Sequence, residues 1–397
     1  MVSEVREIQV KLSRVPADYA VFLGKGFDTV EETFDLSLKP DIQKQLEEAK
    51  ERAKGLDLRN ASKGLIRFAG VDFLIYPYGG RGFLYFIETN DYKISIGNPA
   101  VDWGVSVQYF SKGLWSRGYD ELRAEVDKVL IELMNKPKKR AYVKLRRADI
   151  AFDLFSKRFS GEMVPGMLSA VVALSGVKKQ MVGSVPELVP CQEHASGNRL
   201  ETLTIGSKSS LQIQIYNKTA EIRAASNKTW LFDVWRQNGT DIDFENDVWR
   251  VEFRFFGKFL RERNIETMAD FRLLEADLME EALITRRLTK INRKDSNRAR
   301  WALHPIWSII YRLKGAGHCL PIGRVVSFEK RVELVENLKR QVAGGLRSAV
   351  VLAKGEFEGE LLRLFLWDVL KLVREDPDHE TKVVKTLQKY RFIDEAK

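Results

Sequence analysis

The stretch Arg147-Ala148-Asp149-Ile150-Ala151-Phe152-Asp153 alternates charged and apolar side chains with a period of two. Residues two apart in a strand share a face. One face therefore carries Arg147, Asp149 and Asp153, and the other carries Ala148, Ile150 and Phe152. Two later stretches repeat the pattern. Leu211–Lys218 (LQIQIYNK) sets Gln212, Gln214, Tyr216 and Lys218 against Leu211, Ile213 and Ile215. Trp249–Arg254 (WRVEFR) gathers Arg250, Glu252 and Arg254 on one side. An antiparallel sheet with one wet face gives the same alternation, so each strand alone says little. Together they offer three carboxylates, a tyrosine, a lysine and three arginines to one sheet surface.

Outward from these strands, Asp72–Tyr78, Phe83–Glu88, Tyr92–Ile96 and Val105–Phe110 are rich in β-branched and aromatic residues and read as strands. Gly79-Gly80-Arg81-Gly82 between two of them reads as a hairpin turn, since it lacks the Lys and Ser/Thr of a phosphate-binding loop. Leu200–Gly206 is a further strand, and Pro40–Lys54, Gly118–Asn135 and Gly161–Ser175 read as helices. After Gly257 the strand signals stop, and Met268–Leu288, Ala299–Leu313, Phe328–Leu346, Glu358–Arg374 and Glu380–Tyr390 have helical patterns. The pattern predicts an α+β fold: a mostly antiparallel sheet domain with flanking helices, followed by an all-helical C-terminal module. The expected segments are a polar, helical 1–64, a catalytic 65–256 and a helical, DNA-binding 257–397.

The chain has 397 residues, 65 of them Lys or Arg against 55 Asp or Glu, for a formal charge of +10. This excess calls for a polyanionic partner. Fifteen Lys/Arg and five Asp/Glu fall in residues 281–347, with Arg286, Arg287, Lys290, Arg293, Lys294, Arg298 and Arg300 close together beside Trp301, Trp307 and Tyr311. Such a patch supplies sequence-independent, salt-sensitive affinity for DNA. The tryptophans and the tyrosine are read as core. A second run, Lys136–Arg147, holds seven bases and no acid, among them Lys138, Lys139, Arg140, Lys144 and Arg147. It leads into the Asp149 strand, where a basic rim suits an incoming single strand.

Two cysteines, Cys191 and Cys319, exclude a disulfide framework and a structural zinc site. The four histidines include no HxH or HxxxH pair, which argues against an endonuclease with a His-x-His metal site. His304, before Pro305, is read as a cap or core residue, and His194 and Cys191 as surface. No signal peptide opens the chain, and the longest apolar runs fall well short of the ~20 residues that span a bilayer. A cytoplasmic protein with no membrane partner is the expectation.

Chemically, Asp149, Asp153 and Glu252 are hard oxygen donors suited to Mg²⁺ or Mn²⁺. Arg250 and Arg254 can offset charge that develops on phosphorus. Tyr216 can serve as a nucleophile whose phenolate also leaves well, so that a cut strand can be resealed. Lys218, on the same face, can hold the scissile phosphate or take the tyrosine proton.

The ordered trio RRADIAFDLF, TLTIGSKSSLQIQIYNKTAE and DVWRVEFRF resembles the signature strands of plasmid rolling-circle replication initiators of the Rep_trans type, a pattern shared by relaxases of some integrative conjugative elements. The resemblance covers about Leu65–Phe256. It implies that Tyr216 nicks one strand at an origin and holds the 5′-phosphate, with acidic metal ligands among Asp149, Asp153 and Glu252. It also implies a homodimer that binds duplex origin DNA and single-stranded DNA and recruits a host helicase. Thr204 and Gln214 stand where the family pattern has Tyr and Arg. A relaxase for conjugative transfer and a non-catalytic DNA-binding regulator on the same fold are the alternatives.

Overall fold

The structure is a computed structural model that describes residues 11–54, 64–97, 104–135, 143–173, 190–237, 242 and 245–315, with parts of 324–392. It confirms the α+β architecture. The strands are β1 (Val21–Phe34), β2 (Leu65–Phe68), β3 (Val71–Ile75), β4 (Phe83–Glu88), β5 (Tyr92–Gly97), β6 (Val105–Phe110), β7 (Val143–Phe155), β8 (Val171–Ala173), β9 (Cys191–Ser196), β10 (Arg199–Gly206), β11 (Leu211–Asn217) and β12 (Val248–Phe256). All but β8 form one eleven-stranded sheet in the order β2-β3-β4-β5-β6-β1-β7-β12-β11-β10-β9. Each neighbouring pair in it is antiparallel.

Helices cover both faces: α1 (Pro40–Lys54), α2 (Ser111–Ser116), α3 (Tyr119–Leu133), α4 (Lys157–Glu162), α5 (Lys218–Glu221), α6 (Trp230–Arg236), α7 (Gly257–Arg261), α8 (Met268–Thr285) and α9 (Pro305–Leu313). Helix α8 starts where Thr267 and Asp270 form a reciprocal capping box. Helix α9 starts at Pro305, with the His304 ring accepting the Ile306 N–H. His304 is thus a buried cap, as its place before proline predicts.

The apolar faces of β7, β11 and β12 pack against α4, α8 and α9. Phe253 meets Trp307, Phe255 meets Phe271, and Trp249 meets Phe159, each with ring centroids within 6.0 Å. Ile150, Phe152, Ile213, Ile215, Val251 and Phe253 are fully or almost fully buried there. At about 25 cal/mol per Å² of apolar surface removed from water, this layer is the main force holding the strands in register. A one-residue slip would turn the charged set into it.

Three expectations are corrected. Val21–Phe34, in a segment expected to be polar and helical, is a 14-residue strand at the centre of the sheet. It pairs with both β6 and β7, and its mixed residues gave no clear period because three register shifts interrupt the β7 pairing. The helix expected over Gly161–Ser175 is only α4, a 3₁₀ turn and the short β8. Strands also do not end at Gly257: β13 (Arg286–Leu288) pairs with β8. The sharp turn at Arg81-Gly82 is the hairpin expected there, with both residues at positive φ.

Compact units divide differently from the expected segments. Residues 10–261 and 265–317 form one unit, and 318–397 with 1–9 and 262–264 form another. In the second, β14 (Arg324–Val326) and β15 (Tyr390–Phe392) pair in parallel, and α10 spans Glu360–Arg374. No helix among the described residues is long and apolar enough to cross a membrane.

Candidate active site

Register turns the three sequence motifs into a grid. One row across the strands reads Asp153, Arg250, Tyr216 and Thr202, the next Ala151, Glu252, Gln214 and Thr204, and the third Asp149, Arg254, Gln212 and Gly206. The structure therefore brings Tyr216, Arg250, Arg254, Asp149, Asp153 and Glu252 onto one face. The β1 end of this face is roofed. Trp115 of α2 lies over Gly24 and Gly26, where an added Cβ would stand 3.0 and 2.8 Å from its ring. The Trp235 Nε1–H of α6 donates to Asp153 at 3.0 Å. Among the described residues the β10 end has no such roof, and Thr202, Thr204 and Tyr216 are only half-buried.

At the centre, the Tyr216 hydroxyl donates to Glu252 Oε2 at 3.0 Å. Arg254 grips the same carboxylate through Nε at 2.8 Å and Nη2 at 3.0 Å. Burial, then the Glu252 charge, push the Tyr216 hydroxyl well above its ordinary pKa, and Arg250 only partly opposes them. The phenol is therefore protonated at rest, with an acceptor already on its proton.

Lys218 follows Asn217, whose side chain caps α5 by accepting the Ala220 N–H at 2.9 Å. Its ammonium is buried, donates to Glu221 Oε2 at 2.6 Å and lies 5.6 Å from the centre of the Tyr216 ring. Burial, with Arg250 nearby, lowers the Lys218 pKa.

The other arginines are occupied. Arg250 is fully buried and chelates Asp153 through Nε at 2.7 Å and Nη2 at 2.8 Å, while its Nη1 donates to Asp28. It lies 5.5 Å from the Trp115 ring. Arg147 holds Asp149 at 2.9 and 2.5 Å and reaches Glu31 at 3.2 Å. Burial and the nearby Glu252 charge raise Asp149 well above the ordinary carboxylate range, against the pull of Arg147 and Arg254. Burial would also raise Asp28, but Arg250, Lys228, Lys218 and Arg254 together hold it low.

The expected metal triad does not assemble. Asp149 and Asp153 lie four residues apart on one strand, ~13 Å along it, too far for two aspartates to ligate one ion. Glu252 stands between them, chelated by Arg254. Among the described residues no group of three or more His, Cys, Asp and Glu side chains is placed to hold a metal.

Sequence reasoning missed Asp28, Glu31, Trp115 and Trp235. Only the Gly24-Lys25-Gly26 spacing of β1 carried a trace of them, because a ring covers both glycines. The two departures from the family pattern prove to be partners: Thr204 faces Gln214 across β10 and β11, and the Gln214 amide donates to the Thr204 hydroxyl at 3.3 Å.

The basic residues divide. Lys138, Lys139 and Arg140 lie outside the described residues. Lys144 is half-buried at the start of β7. Arg286 and Arg287 are in β13, with Arg287 buried and its pKa lowered by burial. Lys290, Arg293, Lys294, Arg298 and Arg300 are exposed on the loop that follows, in the same compact unit as the sheet. Trp301 and Trp307 are core, as read from the sequence, whereas Tyr311 is only half-buried, with its hydroxyl donating to Glu280 at 2.5 Å.

No family model and no curated protein matches the chain. Among solved structures it is similar to a rolling circle replication initiator protein from Geobacillus stearothermophilus, at 15% identity over 73% of this chain and 96% of that one, with a TM-score of 0.39.

Proposed function

We propose that this protein nicks and rejoins one DNA strand through Tyr216, as an initiator of rolling-circle replication of a plasmid or similar mobile element. The observation that carries the reading is the Tyr216 hydroxyl donating to an arginine-held Glu252 on the half-open part of the face. In the proposed step the Tyr216 oxygen attacks phosphorus as its proton passes to Glu252. The bond from phosphorus to the 3′-oxygen breaks, a 5′-phosphotyrosine forms, and the 3′-oxygen takes a proton from solvent water to become the priming hydroxyl, giving it back to solvent on resealing. Return of the proton from Glu252 to the phenolate accompanies resealing.

Arg254, which holds Glu252 and lies 3.9 Å from Asp149, is the arginine nearest the reacting oxygen's acceptor. Arg250 acts through position: its donors are on Asp153 and Asp28, and it fixes the strand row that contains Tyr216. Nicking assays with Mg²⁺, with Mn²⁺ and with a chelator test the expected dependence on a divalent ion. The exposed bases from Lys290 to Arg300 are proposed to hold duplex DNA beside the sheet. A homodimer and a recruited helicase belong to the same proposal.

The test uses supercoiled origin plasmid. Wild-type protein relaxes it and is recovered with covalently bound DNA, whereas Tyr216→Phe does neither. A covalent adduct with Tyr216→Phe removes the nucleophile assignment. One observation favours a second reading, a DNA-binding regulator without cleavage: each of Asp149, Asp153 and Glu252 is gripped by an arginine. That reading expects no cleavage with either cation and DNA affinity unchanged in Asp153→Ala.

A further inference from the structure

We propose that the uncharged face of β9, β10 and β11 is a subsite for the nucleotide next to the scissile phosphate, with His194 and Thr202 as the residues that touch it. The inference rests on the single-strand reading above and extends it to β9, which the motifs do not include.

The row that holds Tyr216 continues beyond it: His194 of β9 faces Thr202 of β10, and Thr202 faces Tyr216. At about 4.8 Å between strands, Thr202 is one strand spacing from Tyr216 and His194 is two, ~10 Å along the row. The parallel row continues from Gln214 to Thr204 and Gln192. A groove of about 450 Å³ lies here, and its lining includes Gln192, His194, Thr202 and Thr204.

The side chains on this face around the groove, at 192, 194, 202, 204, 212, 214 and 216, include no Asp, Glu, Lys or Arg, in a chain 30% charged, and the charge at the hairpin end, Arg199 opposite Ser196, is paired with Asp247. That composition is unlike a merely wet edge, because exposed edge strands are guarded by charges, lysine above all. An uncharged polar face suits a polyanion differently. It carries no carboxylate to repel phosphate, and its hydroxyls, amides and imidazole are groups that bind phosphate oxygens, sugar and unstacked bases. The one acid in the lining, Glu193, is held by the Gly166 and Leu168 N–H groups at 3.0 and 2.5 Å. His194 is exposed on the outermost strand and available to a ligand.

The experiment measures fluorescence anisotropy of labelled oligothymidylates of graded length with the full chain. His194→Ala combined with Thr202→Val weakens binding of the longer oligomers by about tenfold, the scale of a single base or phosphate interaction. His194→Arg tightens it and His194→Glu weakens it, while thermal unfolding confirms that each variant is folded. His194→Gln, which keeps a polar side chain there, is the milder companion if the alanine variant fails to fold. Equal affinities across the Arg, Gln and Glu variants overturn the subsite. The adduct assay is separate: no adduct at Tyr216 ends the nicking reading without changing these affinities, and equal affinities end the subsite without changing the adduct.

Discussion

Two carboxylates in this sheet are held by the same kinds of group, yet the proposed nicking step uses only one. Glu252 accepts from the Tyr216 hydroxyl and from Arg254. Glu32 accepts from the hydroxyls of Tyr109 at 3.1 Å and Tyr119 at 2.8 Å, and from Arg123. Burial pushes the hydroxyls of both Tyr109 and Tyr216 well up. Residue type and hydrogen bonding therefore do not separate the two clusters; exposure of the tyrosine does. Tyr109 and Tyr119 are buried, although a groove of about 240 Å³ borders Glu32, Tyr119 and Arg123, whereas Tyr216 is half-buried and faces Thr202, which lines the other groove. In the proposed reaction a phosphate meets the half-buried Tyr216, while the Glu32 network links β1, β6 and α3.

The sharpest way to break the comparison is to neutralise each acid in turn. Glu252→Gln removes the proposed proton acceptor and lowers the nicking rate by about 10²–10⁴-fold. Glu32→Gln leaves nicking per folded molecule within about twofold, since it touches no reacting group. Equal losses in a plasmid-nicking time course would mean that both clusters serve the structure alone.

Removing Glu32 altogether has the next largest effect. Glu32→Ala takes the acceptor from two buried tyrosine hydroxyls and leaves Arg123 to Asp127, and lowers stability by about 1–3 kcal/mol in urea unfolding. The pH dependence follows from the raised Glu32 pKa, which burial sets against Arg123, Tyr119 and Tyr109. The native carboxyl keeps its proton to higher pH than the unfolded one. Its contribution is thus complete below the ordinary value of 4.5 and is lost as pH rises through the folded value. Glu32→Gln flattens that part of the decline and leaves the part due to Asp149.

The smallest effect lies outside both clusters. Arg293→Ala or Lys294→Ala lowers the salt slope of DNA binding by about 1 for each phosphate left without its cation, and sequence preference stays unchanged. A slope unmoved by either change would take the exposed loop out of the interface.

Much of the site was legible in the chain, and for a local reason. Alternation along Arg147–Asp153, Leu211–Lys218 and Trp249–Arg254 placed Tyr216, Glu252 and the arginines on one face, and register confirms it. What each charge does was not legible. Arg250 looked like a phosphate-binding group but is saturated by Asp153 and by Asp28, 222 residues away. The basic cluster from Arg286 to Arg300 looked like part of a separate helical module but belongs to the sheet's own compact unit.

The sequence by itself determined which side chains share a strand face, because the two-residue period is built into extended backbone geometry. Only the tertiary structure decided which rows meet, which arginine takes which carboxylate, and that β1 lies between β6 and β7. Those are pairings between distant segments, fixed by burial of the apolar face and by the register it enforces, and no local pattern encodes them.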